Sequence, residues 1–267
     1  MTGDDKRGGE STFGLTLWSF PELIPLKLSL AANAEPRYPE FSPDGRYLMA
    51  EAGQGRLQIW NLDAGRVEGA PLIDGDLPMA RGGFSPDGRW IVAHQADRSF
   101  VPHPARLWKA LTREVVGVPM QHTDSIVSSA FGPDGTVLAT GGQDATARIW
   151  SVPTGASLVP PMPHDGIVTR MQFTGDGRIL ATATRLGAVR LWDARTGQPL
   201  NAGYTVTGGV AAMTFVRGLG PFVVVGGDGT VHRWDLSPSL ETVGALEILA
   251  RDLNGGVSEK GIERSPW

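Results

Sequence analysis

Apolar and polar residues alternate along the stretch from His122 to Trp150 in a pattern that predicts three short antiparallel strands. Two alternating runs flank the turn sequence FGPDG at 131–135, and a third run follows a second turn at 141–144. Three such strands cannot bury both faces of their sheet by themselves. The pattern therefore predicts copies of the same unit as neighbours in the fold.

These copies are visible as a repeat. Six of the eight tryptophans stand at corresponding places in the repeat, 42 residues apart at four of their five steps and 48 apart at the other. The repeated residues are Trp18, Trp60, Trp108, Trp150, Trp192 and Trp234, with Phe41, Phe84, Phe131, Phe173 and Phe215 opening the first turns. A period of about 40–45 residues with a tryptophan closing each unit is typical of β-propeller blades.

The sequences of the turns and of the strand ends resemble the WD-repeat (WD40) family over roughly residues 13–236. The resemblance rests on the turns FSPDG, FGPDG and FTGDG and on the strand ends QIWNL, RLWKA, RIWSV, RLWDA and HRWDL. It implies an all-β propeller of about five blades, which start near residues 37, 80, 126, 168 and 210, preceded by a half blade at 13–32. Two arrangements stay open: a ring closed by the N-terminal strands on blade five, or an open arc that associates with another chain.

The two ends of the chain lack the repeat. Residues 1–12 are polar, and we expect them to be disordered. Apolar residues between 243 and 253 recur at helical spacing after a proline at 238, which predicts a short helix over 237–254. Residues 255–267 are expected to form a loose tail.

Charge and residue types narrow the function classes. With 24 basic and 28 acidic residues and a net charge of −4, the chain lacks the excess of basic residues that is typical of proteins that bind nucleic acid or an anionic membrane. It contains no cysteine, which excludes disulfides and thiol chemistry, and no apolar run long enough to span a bilayer. We predict no cofactor and no metal, and we expect a cytoplasmic location.

Members of the WD-repeat family carry a buried hydrogen-bond network of His, Ser or Thr, Asp and Trp side chains in their better-formed blades. The matching residues here are His122, Thr140, Asp144 and Trp150 in blade three, His164, Thr182 and Trp192 in blade four, and Asp228 and Trp234 in blade five. Blade four has Leu186 in the place of the aspartate. The resemblance therefore predicts one complete network and unequal blade stability, with blade three the most rigid.

The loops that join fourth to first strands and second to third strands share one end of a propeller, here called the rim. The predicted partner-binding residues of the rim are Arg98, Phe100 and His103 in an insertion in blade two, Asp124 and Ser125 in blade three, and Asp165 and Arg185 in blade four. Inner strands line the central channel, where Arg81 and Arg170 occupy equivalent positions. These two arginines are candidates for channel binding or for salt bridges to neighbouring blades.

Together these features predict a non-catalytic protein-interaction scaffold that binds a protein or peptide partner on the rim. His122, Asp144 and a nearby serine have the residue types of a catalytic triad, but the repeat already accounts for the histidine and the aspartate, and no GxSxG motif is present. An alternative is a detached regulatory or sensor segment of a kinase-type multidomain protein. Self-association is expected if the ring is open.

Overall fold

The computed structural model of the protein describes residues 16–18, 25–27, 37–53, 56–74, 77–95, 102–200, 202–216, 221–234 and 262–264. Within these ranges β-strands are the only regular secondary structure, and they form five four-stranded sheets and two two-stranded sheets. The all-β prediction is confirmed, with one sheet for each predicted blade. The predicted helix at 237–254 and the predicted disordered segment at 1–12 lie outside the described residues.

The strands follow one another in chain order. A hairpin of β1 (Thr16–Trp18) and β2 (Pro25–Lys27) comes first, within the predicted half blade. Blade one contains β3 (Arg37–Phe41), β4 (Tyr47–Glu51), β5 (Leu57–Asn61) and β6 (Arg66–Val67), and the hairpin of β7 (Ile73–Asp74) and β8 (Leu77–Pro78) leads to blade two. Blade two contains β9 (Arg81–Phe84), β10 (Trp90–His94), β11 (Ala105–Lys109) and β12 (Val115–Met120).

The last three blades continue the series. Blade three contains β13 (Ile126–Phe131), β14 (Val137–Gly142), β15 (Thr146–Ser151) and β16 (Met162–Pro163). Blade four contains β17 (Val168–Phe173), β18 (Ile179–Thr184), β19 (Ala188–Asp193) and β20 (Tyr204–Thr205). Blade five contains β21 (Val210–Phe215), β22 (Phe222–Gly226), β23 (Val231–Trp234) and β24 (Ile262–Arg264), the last of which pairs parallel to β23.

The turn between the first and second strands of a blade is held by its own side chains. In blade one the Ser42 hydroxyl donates to Asp44 at 2.6 Å and accepts from the Tyr47 N–H at 2.9 Å. Thr174 makes the same two bonds in blade four, to Asp176 at 2.6 Å and from the Ile179 N–H at 3.1 Å. The Ser or Thr and the Asp of these two turns therefore fix the register of their hairpins.

The tryptophans that define the repeat occupy equivalent positions in the five sheets. Each lies opposite a large apolar residue of the second strand, in the pairs Leu48 with Trp60, Ile91 with Trp108, Leu138 with Trp150, Leu180 with Trp192 and Phe222 with Trp234. This identical register confirms that the chain repeats one structural unit.

Within the described residues the core consists of four apolar clusters, and each lies between two consecutive blades. Between blades three and four, for example, Ala139 and Ile149 of one sheet pack with Leu180 and Trp192 of the next. Equivalent clusters join blades one and two, two and three, and four and five. Because no blade can bury its faces alone, the core of this fold exists only through the stacking of blades.

The inner strands contact one another in the order β3, β9, β13, β17 and β21. Within the described residues we find no closed ring, which agrees with the incomplete ring that the sequence leaves open. The predicted self-association of such a ring stays a prediction. The segment that completes blade five is β24, from within the predicted tail at 255–267, while β1 pairs with β2.

Candidate functional site: the blade-three network and the rim

Four side chains of blade three form a continuous chain of hydrogen bonds. The Trp150 indole N–H donates to the Thr140 hydroxyl at 2.7 Å, and that hydroxyl lies 2.8 Å from Nε2 of His122. Nδ1 of His122 lies 2.9 Å from Oδ1 of Asp144. The network joins the loop before the first strand to the second and third strands of the same sheet.

The chemistry of the partners fixes the protonation of this network. The Asp144 carboxylate can only accept, so Nδ1 of His122 carries a proton and donates it. Nε2 then accepts from the Thr140 hydroxyl, whose oxygen accepts from Trp150. All four groups are therefore satisfied with a neutral imidazole.

Asp144 is the charged end of the network. Burial raises the pKa of its carboxyl, but the hydrogen bond from His122, together with hydrogen bonds from Thr146 and from the Thr123 N–H, outweighs burial and holds the pKa well below its usual range. The side chains of His122 and Asp144 are 0% and 4% exposed. Neither can reach a substrate in solution, which favours a structural role for the pair.

Blade four builds the same network without the aspartate. The Trp192 N–H donates to Thr182 at 2.9 Å, and Thr182 lies 2.8 Å from Nε2 of His164. Nδ1 of His164 donates to the Met162 carbonyl at 2.9 Å, so a backbone oxygen replaces the missing carboxylate. Burial lowers the pKa of His164 to about 4, against a smaller opposing effect of the Met162 bond.

Blade five uses a different set of residues. Asp228 accepts from the Thr230 N–H and hydroxyl, and the Thr230 hydroxyl lies 3.0 Å from Nε2 of His232. His232 stacks on Trp234, and Nδ1 of His232 lies 3.4 Å from the Tyr204 hydroxyl. Sequence matching missed His232 and Tyr204, because neither stands at the position where the other blades carry their histidine.

The rim residues divide into exposed and buried ones. Arg185 is exposed, and Asp165 is exposed with an ion pair to Arg190 at 3.0 Å. Asp124 and His103 are half-buried, whereas Ser125 is only 5% exposed and its side chain lies beneath the surface. The predicted rim residues Arg98 and Phe100 lie outside the described residues.

The loops of the rim are tied together by backbone hydrogen bonds. The Gln143 N–H donates to the Ser125 carbonyl at 2.9 Å, and the Arg185 N–H donates to the Ile167 carbonyl at 2.8 Å. Each bond joins a loop before a first strand to a loop between second and third strands. The rim therefore presents its side chains from a fixed backbone.

The residues predicted to line the channel link consecutive blades. Arg81 donates to the Val127 carbonyl at 3.2 Å, and Arg170 donates to the Val210 carbonyl at 2.9 Å. Both arginines therefore tie their blade to the next one through a backbone carbonyl, and their part in channel binding stays a prediction. Ser128, at the equivalent position of blade three, donates to Val168 in the same way at 2.8 Å.

Comparison with known families identifies two segments of these sheets. Residues 113–151 and 160–193 match the family described as "WD domain, G-beta repeat". These two segments are WD repeats. The two matched WD repeats are those of blades three and four, the blades in which histidine, threonine and tryptophan form a linked network.

Solved structures support the same fold. A computationally designed protein named Ika8 is similar to 83% of this chain with a TM-score of 0.65 and 22% identity. The aligned part spans 64% of the designed protein's length. At this identity the likeness shows the fold alone, and no curated protein matches the chain.

Neither a metal site nor a membrane-spanning helix is found in the described part of the chain. We find there no cluster of three or more His, Asp or Glu side chains that could hold a metal ion. Nor is any helix within the described ranges long and apolar enough to cross a bilayer.

Blade one, which lacks the network, offers a test of it. Trp60 is fully buried and its indole N–H has no partner, because Ala50 stands where blades three and four have Thr140 and Thr182. We expect Ala50→Thr to raise the free energy of unfolding by about 1 kcal/mol by supplying an acceptor, measured by urea denaturation. The control is Ala139→Thr, which adds a hydroxyl at a buried alanine of blade three, on the sheet face opposite Thr140, and should lower the free energy of unfolding. Equal effects of the two changes would contradict the conclusion that the Trp60 N–H lacks an acceptor at position 50.

Proposed function

We propose that this protein is a non-catalytic protein-interaction scaffold that binds a protein or peptide partner on the rim. The observation that carries the proposal is the division of polar residues between interior and surface. The histidine and aspartate that resemble catalytic groups are buried in the blade-three network, whereas the rim presents charged and apolar side chains to solvent. A cytoplasmic location is part of the same proposal.

The part of the rim best suited to binding a partner is the loop between the second and third strands of blade four. Arg185 is exposed and Leu186 is 73% exposed, although the equivalent aspartate of blade three is buried in its network. Blade four has no need of a network residue here, because the Met162 carbonyl already satisfies His164. An exposed arginine beside an exposed leucine on a fixed backbone is a combination that protein interfaces favour.

The test is affinity purification of the tagged full chain from its native cells, followed by quantitative mass spectrometry. We expect the double variant Arg185→Glu, Leu186→Asp to lower the recovery of the partner at least tenfold while the thermal midpoint stays unchanged. Arg178→Glu is the matched control, because Arg178 is exposed on a turn at the opposite end of the same sheet. Equal recovery with wild type and with both variants would refute the rim as the docking surface.

A further inference from the structure

A cleft of about 580 Å³ lies between blades one and two, at the end of the sheets opposite the rim. Its lining comes from the turns that join first to second and third to fourth strands. The residues that line it include Tyr47 and Glu68 of blade one and Phe84, Leu111 and Arg113 of blade two. A cleft of this volume is in the range of ligand-binding pockets.

The corresponding junctions between later blades are closed. A Cβ placed on Gly135 of blade three would lie 3.3 Å from the Asp87 carboxyl of blade two, and one on Gly177 of blade four would lie 3.3 Å from Pro133 of blade three. At the equivalent Gly88 of blade two, nothing lies within 4 Å. Among these three junctions, only the first is therefore open.

An arginine in an unusual backbone conformation accounts for the opening. Arg113 has a φ of 62°, and glycines stand at the equivalent position, five residues after the tryptophan, in blades one, three and four. Gly155 of blade three packs directly against the backbone of Val118 in the preceding blade, and a Cβ on Gly197 would lie 3.2 Å from Val159. Glycine lets the preceding blade approach closely at these positions, whereas the Arg113 side chain prevents that approach.

The cleft also holds two buried polar atoms without partners. Nη1 of Arg113 and Oε2 of Glu68 have no hydrogen bond, and the two side chains form no ion pair with each other. Burial lowers the pKa of Arg113, against an opposing effect of the nearby Glu68 charge. An unpaired buried donor, an unpaired buried acceptor and a left-handed arginine all destabilise the free protein. A ligand that supplied an acceptor and a donor would relieve two of these three costs.

The walls of the cleft suit an apolar group. Tyr47 and Phe84 line it from the two blades, with Pro43 and Pro86 beside them, and Leu111 is 88% exposed at its edge. A peptide group carries one acceptor and one donor, which matches one free guanidinium nitrogen and one free carboxylate oxygen.

We propose that this cleft binds an extended, uncharged peptide segment of a partner protein. Arg113 donates to a main-chain carbonyl of the peptide, Glu68 accepts from a main-chain N–H, and an apolar side chain of the peptide packs between Tyr47 and Phe84. The site is separate from the rim, so either can fail without the other.

The experiment uses the purified full chain and a library of pentapeptides acetylated at the N-terminus and amidated at the C-terminus, with uncharged residues only. We expect wild-type protein to enrich peptides with an apolar residue at one fixed position. A parallel library with free C-terminal carboxylates separates main-chain recognition from capture of a terminal carboxylate by Arg113. Enrichment confined to the free-carboxylate library, or no enrichment in either, overturns the proposal.

Variants of Arg113 separate binding from folding. Arg113→Met keeps a long side chain in the cleft but removes the donor, and we expect the affinity for an enriched peptide to fall at least tenfold. Arg113→Gly restores the residue of the other blades, and should raise the thermal midpoint of the free protein while abolishing binding. Arg195→Gly, in the equivalent turn of blade four, is the matched control and should leave binding unchanged. Undiminished binding of an enriched peptide to both Arg113 variants would overturn the proposal.

Discussion

Thr140→Val is expected to lower the free energy of unfolding by about 3 kcal/mol. Valine keeps the shape of threonine but has no hydroxyl, so two buried partners lose their bonds at once. The Trp150 N–H would lose its acceptor at 2.7 Å, and Nε2 of His122 would lose its donor at 2.8 Å. Leaving a buried polar group unpaired costs about 1–3 kcal/mol, and water cannot replace the hydroxyl at a fully buried position.

Urea denaturation of the variant and of wild type at pH 7 measures this effect. Thr136→Val is the control, because the Thr136 hydroxyl bonds only to Asp134 in an exposed turn of the same blade. That change should stay within about 0.5 kcal/mol of wild type. Equal small losses from both substitutions would show that the blade-three network contributes little to stability.

The second large expected effect is a loss of stability as the pH falls from 6.5 to about 4. Burial lowers the pKa of His94 to about 4, and that of His164 also to about 4, against an ordinary value of 6.5. Between these values the unfolded chain binds protons that the folded chain does not, so the free energy of unfolding rises with pH through this window. The stabilisation is fully present above pH 6.5 and corresponds to about 3 kcal/mol for each histidine.

Other groups titrate with different signs or in different ranges. The lowered pKa of Asp144 stabilises the fold above its ordinary value of 3.8 and is lost only below it, so it acts outside the histidine window. Burial raises the pKa of Glu40 from 4.5, which lowers stability slightly as the pH rises past that value. Between pH 5 and 6.5 the two histidines should therefore dominate the pH dependence of the free energy of unfolding, because the unfolded chain takes up their protons just below the ordinary histidine pKa of about 6.5.

Denaturation at a series of pH values, with wild type and with His94→Asn and His164→Asn, measures the slope. Asparagine cannot take up a proton, so each variant should show a shallower dependence and the double variant a nearly flat one. An unchanged slope in the double variant would assign the pH dependence to other residues.

Much of the fold follows from the sequence because residues close together in the chain specify each repeat. The tryptophan spacing and the turn residues predict five sheets, and the observed register places each tryptophan opposite the same position of its second strand. Period, turn chemistry and strand alternation depend on neighbours in the chain, and all three point to the same unit.

The candidate site is predictable only where a blade keeps the common pattern. His122 and His164 stand at the positions that the family pattern indicates, whereas His232 reaches the blade-five tryptophan from the third strand. His94 escaped notice because nothing near it in the chain marks it as buried. Its burial comes from the neighbouring blades.

The sequence by itself determined the repeating unit of this protein and the number of its copies, because these rest on short-range spacing, whereas the network of blade three was predicted from the resemblance to the WD-repeat family. The tertiary structure alone decided how each blade meets the next. It showed that Arg81 and Arg170 tie their blades to backbone carbonyls, that Ser125 lies below the rim, and that one junction is open beside Arg113. The hydrogen bonds of Arg81, Ser128 and Arg170 to the next blade join residues 40 or more positions apart, and no local pattern records which atoms meet across that distance.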